Sequence, residues 1–525
     1  MTVNPILLEV YKNRFASIAE EMGVALQRTS FSPNIKERRD FSCALFNGQG
    51  EMVAQAEHIP VHLGSMPLSV RAAMDAIRFR PGDMAILNNP FQGGTHLPDI
   101  TLVAPVFAPH SPAGSPPCFY VANRAHHADV GGMSAGSMPM STSIFQEGVI
   151  IPPLKFVDGG EVNQSLLQFF LANVRTPHER EGDFAAQMMA NLTGVRRLQA
   201  LVATHGLETC HFYASALLDY AERITRQAIA ALPDGSYAFE DMLDDDGQGN
   251  TDIRIQVRVD IQGDGARIDF SGSAPQTRGS VNAVRAIALS AALYVFRCLT
   301  PGSIPTNAGC LRPLEIVTEH GSIVDAAFPA AVAAGNVETS QRLVDVILGA
   351  LAKAAPAIVP AASEGTMNNL TIGGFDPAKG RAFSYYETMG GGMGASASGP
   401  GASGVQSHMT NTMNTPVEAL EFAYPFVVRE YCLRRGSGGA GQHKGGDGLV
   451  REIELTAEAE ATILSERRRN APYGLAGGQP GKPGRNTAII GGEELELGGK
   501  CSLRLFPGDR LRLETPGGGG FGGKE

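Results

Sequence analysis

Several features that define common protein classes are absent from this chain of 525 residues. No run of about 18 uncharged apolar residues occurs, so the sequence predicts no transmembrane helix. The seven cysteines never show CxxC spacing, which argues against a disulfide framework and a cysteine-ligated zinc site. The net charge is −10, so the chain has no excess of basic residues of the kind that binding to nucleic acid or an anionic membrane requires. We therefore expect reduced, buried thiols, a cytoplasmic location, and neither nucleic acid nor membrane as a partner.

Two further patterns are missing. The N-terminus leads directly into a charged amphipathic helix, which does not fit a secretory signal peptide. No phosphate-binding GxxxxGK[ST] loop occurs, and helices and strands do not alternate as they do in nucleotide-binding folds. If ATP takes part in the function of this protein, we expect another chain to bind it.

Glycine is the residue type in excess. It accounts for 63 of the 525 residues, or about 12%, against an average near 7% in soluble proteins. The glycines follow no collagen-like period, so we expect them to serve loops and tight turns. A cluster at 390–392 is expected to form a flexible turn on which a partner's backbone docks.

The periodicity of apolar residues predicts an α+β protein with mixed and antiparallel sheets, flanking helices and glycine-rich loops. Helices are expected over 5–27, within 164–232, near 281–299 and over 338–357. Short strands are expected between 40 and 123, from 236 to 320 and from 450 to 513. A chain of this length should form more than one domain. We expect a first domain over 1–235, an α+β domain over 236–450, and a C-terminal region of short strands over 451–525.

The densest polar signal lies in two segments separated by one predicted strand pair. His96 and Asp99 belong to the first segment, THLPD, and His126 belongs to the second, RAHHAD. In an antiparallel pair the returning strand would bring His126 beside His96. His127 would then point to the opposite face. Two imidazoles with one or two carboxylates suit Zn, Mn or Fe. An ordinary hydrogen-bonded loop, or an acid–base pair without metal, fits the same spacing.

Long stretches of the chain resemble the hydantoinase B family, which includes the C-terminal half of 5-oxoprolinase and subunits of acetone and acetophenone carboxylases. The resemblance covers essentially the whole sequence. Its longest motifs are FSPNIKERRDFSCALFNGQGEMVAQAEHIPVHLGSM, NNPFQGGTHLPDITLVAPVF, NRAHHADVGGMSAGSMP, RTPHEREGDFAAQMMAN, YYETMGGGMGASASGPGASGVQSHMTNTMNTPVEALE and ETPGGGGFGG.

The resemblance implies a set of metal ligands. Its motifs correspond here to Asp40, His96, Asp99 and His126, which would hold a divalent metal, Zn or Mn. His127 is the alternative to His126. Asp40 is assigned by the resemblance alone, and a carboxylate that caps a strand is the other interpretation.

Further polar residues are candidates for a supporting role in catalysis. Glu51 and Asp129 are expected to orient the ligand imidazoles, as carboxylates often do in metal sites. His127 is also a candidate catalytic residue. His58 and His62 flank Pro60 and either face the same cleft or are ordinary core histidines.

The resemblance implies an ATP-dependent hydrolase that opens a small cyclic amide such as hydantoin, N-methylhydantoin or 5-oxoproline. ATP with Mg would be bound by a hydantoinase A-type partner in a hetero-oligomer of A/B pairs. The alternative is a component of an ATP-dependent ketone carboxylase of the acetone or acetophenone carboxylase type. A non-enzymatic scaffold protein is a third hypothesis.

Overall fold

The structure, a computed structural model, describes residues 2–56, 59–112, 114–302 and 304–523. Helices and antiparallel strands are both abundant, so the predicted α+β class is confirmed. The helices are α1 (Pro5–Thr29), α2 (Pro33–Lys36), α3 (Met66–Ala76), α4 (Gln164–Leu171), α5 (Pro177–His205), α6 (Leu207–Ala230), α7 (Arg285–Cys298), α8 (Ser340–Ala354) and α9 (Val417–Ala423). A π-helical turn, Gly335–Thr339, immediately precedes α8. Within the described ranges, no helix is both long enough and apolar enough to span a bilayer.

The described strands form four sheets, of seven, four, four and five strands. In chain order they are β1 (Phe41–Asn47), β2 (Met52–Gln55), β3 (Met84–Leu87), β4 (Asp99–Val106), β5 (Phe119–His126), β6 (Leu154–Asp158), β7 (Glu161–Val162), β8 (Gly235–Asp245), β9 (Thr251–Gln262), β10 (Gly265–Asp269), β11 (Leu314–Val317), β12 (Asn369–Asp376), β13 (Arg381–Glu387), β14 (Phe426–Arg434), β15 (Gly448–Leu455), β16 (Ala459–Leu464), β17 (Arg485–Ile490), β18 (Glu493–Leu497), β19 (Lys500–Leu505) and β20 (Arg510–Glu514).

The seven-stranded sheet has the order β2-β1-β5-β4-β3-β6-β7. Its central strands β1, β5 and β4 are buried along their whole length, because both faces of the sheet are covered. Helices α1 and α5 pack on one face, and α3 packs on the other. A sheet buried in this way fixes the ends of β4 and β5 rigidly, and the two strands carry polar residues where they meet the preceding and following loops.

The second sheet has the order β11-β10-β9-β8. The period-two pattern expected in this region is present in β9, whose apolar residues from Ile253 to Ile261 face the core while their neighbours are mostly exposed. Helix α8 packs against β8 and β9, and α7 packs against α8. The π-helical turn before α8 therefore lies on a fixed support.

The two C-terminal sheets have the orders β13-β12-β16-β19 and β14-β15-β20-β17-β18. Strands β12, β13 and β14 were not predicted. Gly373 and Gly374 interrupt the pattern of β12, and a glycine-rich sequence follows β13, but β14 contains no glycine. The domain boundary expected at 450/451 lies within β15, and both sheets contain strands from each side of it.

Two glycine-rich segments are packed inside the protein, whereas the sequence predicted a flexible turn at 390–392. Gly390–Gly392 and Gly517–Gly520 are buried. A Cβ atom on Gly518 would lie 2.0 Å from the carbonyl oxygen of Met393, and one on Gly392 would lie 2.0 Å from that of Gly446. Backbones approach too closely here for any side chain, and Gly392 N–H donates to Pro516 O. The segment 390–392 thus docks on the protein's own C-terminal glycines.

All seven cysteines are free thiols, as expected. The expectation that they are buried holds for Cys43, Cys118, Cys210 and Cys310 but is wrong for Cys298 and Cys432, which are exposed. Cys298 is the last residue of α7, and Cys432 lies on the exposed part of β14.

Candidate metal centre

His96, Asp99 and His126 meet at one end of the β4–β5 pair. Asp99 is the first residue of β4 and His126 is the last residue of β5, and the antiparallel register places them directly opposite each other. The loop before β4 carries His96 to the same place. Gly93, at φ 93°, lets this loop pass against α3, because a Cβ there would lie 2.6 Å from the Leu68 carbonyl group.

The ligand atoms of the three residues all lie within 4.8 Å of one another. His96 Nε2 is 3.1 Å from Asp99 Oδ1, and His126 Nδ1 is 3.4 Å from the same oxygen. The two imidazole rings are 5.1 Å apart between centroids. All three side chains are buried. The structure therefore brings together two nitrogen donors and one carboxylate oxygen, a donor set that suits a divalent transition metal.

The second carboxylate oxygen of Asp99 has its own partners. His62 Nε2 lies 3.2 Å from Asp99 Oδ2, and Thr95 Oγ1 donates to that oxygen at 2.7 Å. Ser42 Oγ lies 2.9 Å from His62 Nδ1 and orients this ring. His62 thus fixes the carboxylate that the other imidazoles share. The sequence had left open whether it is a cleft or a core residue, and the Pro60–His62 turn that carries it packs against α7. His58, its predicted companion, lies outside the described residues.

Asp40 is buried next to the three residues, immediately before β1. Its backbone carbonyl accepts a hydrogen bond from the N–H of His126 at 3.0 Å. Its carboxylate lies 3.8 Å from the guanidinium of Arg38, and it interacts electrostatically with His126, Asp99 and His96. Asp40 therefore borders the cluster, although its carboxylate is not among the three groups whose ligand atoms lie within 4.8 Å of one another.

Burial shifts the protonation equilibria of the cluster. It raises the pKa of Asp40, against the opposing effects of His126 and Arg38. It lowers the pKa of His62 and of His126, which favours neutral imidazoles that can donate a lone pair to a metal. Burial alone would raise the pKa of Asp99, but the adjacent imidazoles His96 and His62 hold that pKa well below its usual value.

Two residues from distant parts of the chain close the site. Tyr386, on β13, stacks on the His126 ring at 4.2 Å between centroids with an interplanar angle of 13°. Asn336, in the π-helical turn, places its Nδ2 atom 3.1 Å from His96 Nε2. Neither was found from the sequence. A local signal was present in the polar run GNVETSQR, 335–342, which is fully buried between apolar segments.

The cluster contains buried polar atoms that no described residue satisfies. His96 Nδ1, His126 Nε2 and the Oδ1 atom of Asn336 have no hydrogen-bond partner in the described part of the chain. Buried polar atoms in native proteins are rarely left in this state. The two orphaned nitrogens are not the ones that lie next to Asp99. The fit to a divalent metal therefore rests on the donor set itself, because the lone pairs of His96 Nε2, His126 Nδ1 and Asp99 Oδ1 lie close together and an ion between them would use all three.

The three residues expected to support catalysis lie elsewhere. His127 points away from the cluster, where Nε2 lies 3.0 Å from Gln187 Oε1 and the ring packs on Phe184. Asp129 forms an ion pair with Arg175 at 2.9 Å. Glu51 binds Arg312 at 3.2 Å near the surface. Among the described residues Asp129 and Glu51 make no contact with the imidazoles, since each carboxylate is held by its own arginine.

Comparison with known proteins gives the family. The model of the family "Hydantoinase B/oxoprolinase" matches residues 4–524. A 5-oxoprolinase from Dictyostelium discoideum is 40% identical over 100% of this chain, which spans 41% of that protein. A protein from a Pseudomonas species, named as a putative B subunit of a D-/L-hydantoinase, is 29% identical over 99% of this chain and 90% of its own length. The chain belongs to the hydantoinase B/oxoprolinase family, and the resemblance seen in the sequence is confirmed.

Solved structures give the same architecture. The ATP-dependent caprolactamase from Pseudomonas jessenii superposes with a TM-score of 0.92 and 27% identity, over 100% of this chain and 92% of that one. An acetone carboxylase superposes with a TM-score of 0.89 over 99% of this chain and 76% of that one. At 19% identity the second likeness shows a shared fold alone.

Proposed function

We propose that this chain is the metal-carrying component of an ATP-dependent, two-component hydrolase that opens a small cyclic amide. The observation that carries the proposal is the buried His96–Asp99–His126 cluster, in which His96 Nε2 and His126 Nδ1 both lie against Asp99 Oδ1. Asp40 is proposed as the fourth ligand. When bound, a divalent metal, Zn or Mn, would supply Lewis acidity to a substrate oxygen or lower the pKa of an attacking water.

Cyclic amides need activation before water can attack them. Amide resonance, the origin of the rotational barrier of about 18–20 kcal/mol, leaves the carbonyl carbon weakly electrophilic. Five-membered rings also close again readily after hydrolysis. We propose that ATP, with Mg, phosphorylates the amide oxygen in a hydantoinase A-type partner. The buried carboxylate and imidazoles of the present chain would then position the water that attacks the activated carbon.

The relatives bear on whether the proposed A-type partner is a separate chain. The hydantoinase relative is named as one component of its enzyme and matches this chain over nearly its whole length, which favours a separate A-type partner. This chain spans about two fifths of the length of the 5-oxoprolinase relative, so longer single polypeptides also occur in the family. We propose a hetero-oligomer of A/B pairs in the cytoplasm, where the seven free thiols would remain reduced.

Amide hydrolysis is preferred over ketone carboxylation. The relatives near 40% identity include proteins named 5-oxoprolinase, whereas the acetone carboxylase shares the fold at 19% identity. The test is ATP turnover by the chain co-expressed with its A-type partner, using 5-oxoproline, hydantoin, caprolactam and acetone, each with and without bicarbonate. We expect lactam-dependent phosphate release that does not require bicarbonate. Turnover with acetone that requires bicarbonate would overturn the proposal, as would lactam turnover by the isolated chain.

A further inference from the structure

His96 Nε2 has two close neighbours and can satisfy only one of them. His96 Nε2 lies 3.1 Å from the carboxylate oxygen of Asp99, an acceptor, and 3.1 Å from Asn336 Nδ2, a donor. Only the contact with Asn336 has hydrogen-bond geometry, so the lone pair of Nε2 accepts from the amide. Asp99 Oδ1 then lies 3.1 Å from the same nitrogen with no proton between them, which is an unfavourable contact of two lone-pair atoms.

A cation at this point removes the conflict. The lone pair of Nε2 and that of Asp99 Oδ1 would then both be directed at the ion. The amide of Asn336, which is 4% exposed, would present its oxygen instead of its nitrogen. That oxygen, Oδ1, has no hydrogen-bond partner among the described residues. Amide oxygens are regular ligands of hard and borderline divalent metals.

The backbone that carries Asn336 has the irregular form often found at functional sites, a π-helical turn. It is clamped at both ends to the same segment. Gly335 N–H donates to Ser280 O, and Thr339 Oγ1 donates to Val281 O. A Cβ on Gly335 would lie 1.8 Å from Asn282 O, so this close approach requires glycine.

Side chains also connect the turn to the other side of the cluster. Glu338 Oε1 accepts a hydrogen bond from Asn369 Nδ2 at 2.8 Å, and Asn369 Oδ1 accepts one from Tyr386 OH at 2.9 Å. Tyr386 is the residue that stacks on His126. These contacts therefore fix the position of Asn336 relative to both His96 and His126.

We infer that Asn336 is a further ligand of the metal centre, contributing its side-chain oxygen from the π-helical turn. The inference rests on the proposed metal site and adds to it an oxygen donor from a segment 240 residues away in the chain. An additional neutral oxygen among imidazoles and carboxylates gives the site more oxygen donors than a typical structural zinc site.

The test measures binding of metal alone to the chelator-stripped full chain. Asn336→Leu removes the oxygen at similar volume, and Asn336→Asp keeps an oxygen at the same position. Gln341→Leu is the matched control, because Gln341 is a buried amide in α8 that binds Ser407 O and also has an unpartnered oxygen within the described ranges. We expect Asn336→Leu to weaken Mn²⁺ binding by about 10- to 100-fold. Asn336→Asp should retain or tighten binding, and Gln341→Leu should leave it unchanged.

The electron paramagnetic resonance spectrum of bound Mn²⁺ separates a ligand from a merely structural residue. Exchange of a neutral for a charged ligand should change the zero-field splitting in Asn336→Asp, and this comparison decides the question if Asn336→Leu does not fold. Wild-type affinity in Asn336→Leu, or an unchanged spectrum in Asn336→Asp, would overturn the inference and leave the metal site intact. A wild-type chain that binds no metal would overturn the proposed function as well.

Discussion

Two buried polar clusters in this protein are built in opposite ways. In one, between α8, β8 and the start of the C-terminal region, each charge faces an opposite one. Arg467 lies 2.7 Å from Asp241 and 2.6 Å from Asp345, and Arg342 lies 3.0 Å from Asp241. Lys500 lies 2.6 Å from Glu466. This cluster, called the paired cluster below, connects α8 and β8 to the C-terminal sheets.

In the candidate metal centre the carboxylates have no such short ion pair with a described arginine or lysine. Asp99 contacts three imidazoles and a hydroxyl group, and Asp40 has Arg38 at 3.8 Å. Arg124 acts on Asp99 only at longer range. Where arginine and lysine supply the positive charge, the cluster is a structural connection. Where imidazoles stand in their place, the positive charge is expected from outside the chain.

Substitutions of the proposed ligands test the comparison most strongly. His96→Ala and Asp99→Asn should each lower metal affinity by more than about 100-fold, beyond the loss typical for residues that only support ligands. Turnover with the partner should fall in parallel, while the stripped protein remains folded. Elemental analysis and lactam-dependent ATP turnover measure this.

His127→Gln is the control for that experiment. Its imidazole is adjacent in sequence to the proposed ligand His126 but faces Gln187. We expect normal metal content with some loss of stability. If His127→Gln loses the metal while His126→Gln keeps it, the assignment of the last ligand is reversed.

Arg467→Met tests the paired cluster. Removing one partner from a buried ion pair leaves uncompensated charge and costs about 3–5 kcal/mol of unfolding free energy. Asp241 and Asp345 would both lose their shortest contact. Chemical denaturation should show this loss, and the folded fraction should still bind metal normally. Loss of metal from folded Arg467→Met would mean that the two clusters are coupled and that the distinction between them fails.

Local patterns in the sequence were sufficient to anticipate how His96, Asp99 and His126 of the candidate metal centre come together. The spacing from His96 to His126 equals one strand out and one strand back, so the antiparallel register could be anticipated. The opposite directions of His126 and His127 followed from strand alternation. Both features depend on residues close together in the chain.

The rest of the site depends on distant segments and could not be derived in this way. Asn336 and Tyr386 reach the site only because the π-helical turn and the β12–β13 hairpin pack beside the first sheet. The roles expected for Glu51 and Asp129 assumed that free carboxylates near the site would turn to the imidazoles. Arg312 and Arg175 hold them instead, and no local pattern shows which arginine a carboxylate will meet. The buried glycine packing was missed for the same reason, since its partners are backbones far away in sequence.

Glu147 extends the comparison to a buried carboxyl group held by hydrogen-bond donors instead of cations or imidazoles. Burial raises its pKa to about 7, against hydrogen bonds from Ala333 N, Ser141 Oγ and Val332 N. The folded-state pKa of Glu147 lies above the unfolded value of 4.5. The contribution of Glu147 to the free energy of unfolding is therefore complete below pH 4.5. It is lost as the pH rises through about 7.

Glu147→Gln mimics the protonated form and should remove this pH dependence. The wild-type protein should lose on the order of 3 kcal/mol relative to the variant between about pH 4.5 and pH 8. Denaturant titrations of both proteins across this range provide the measurement. Parallel curves would show that Glu147 is ionised throughout and that another positive group compensates it.

Glu51→Gln should have the smallest effect on unfolding free energy, because its ion pair lies at the protein surface and not in a buried cluster. Glu51 and Arg312 are each about one third exposed, and Arg312 keeps Asp219 and Glu222 as partners at 2.8 and 3.2 Å when Glu51 is neutralised. Exposed ion pairs of this kind contribute about 0–1 kcal/mol. We expect a change in unfolding free energy below about 0.5 kcal/mol, with unchanged metal content and turnover. Asp219→Asn removes another partner of Arg312 and is the matched control, with an equally small expected change in unfolding free energy. A loss of turnover in Glu51→Gln alone, with metal and stability intact, would give Glu51 the catalytic role that its contacts argue against.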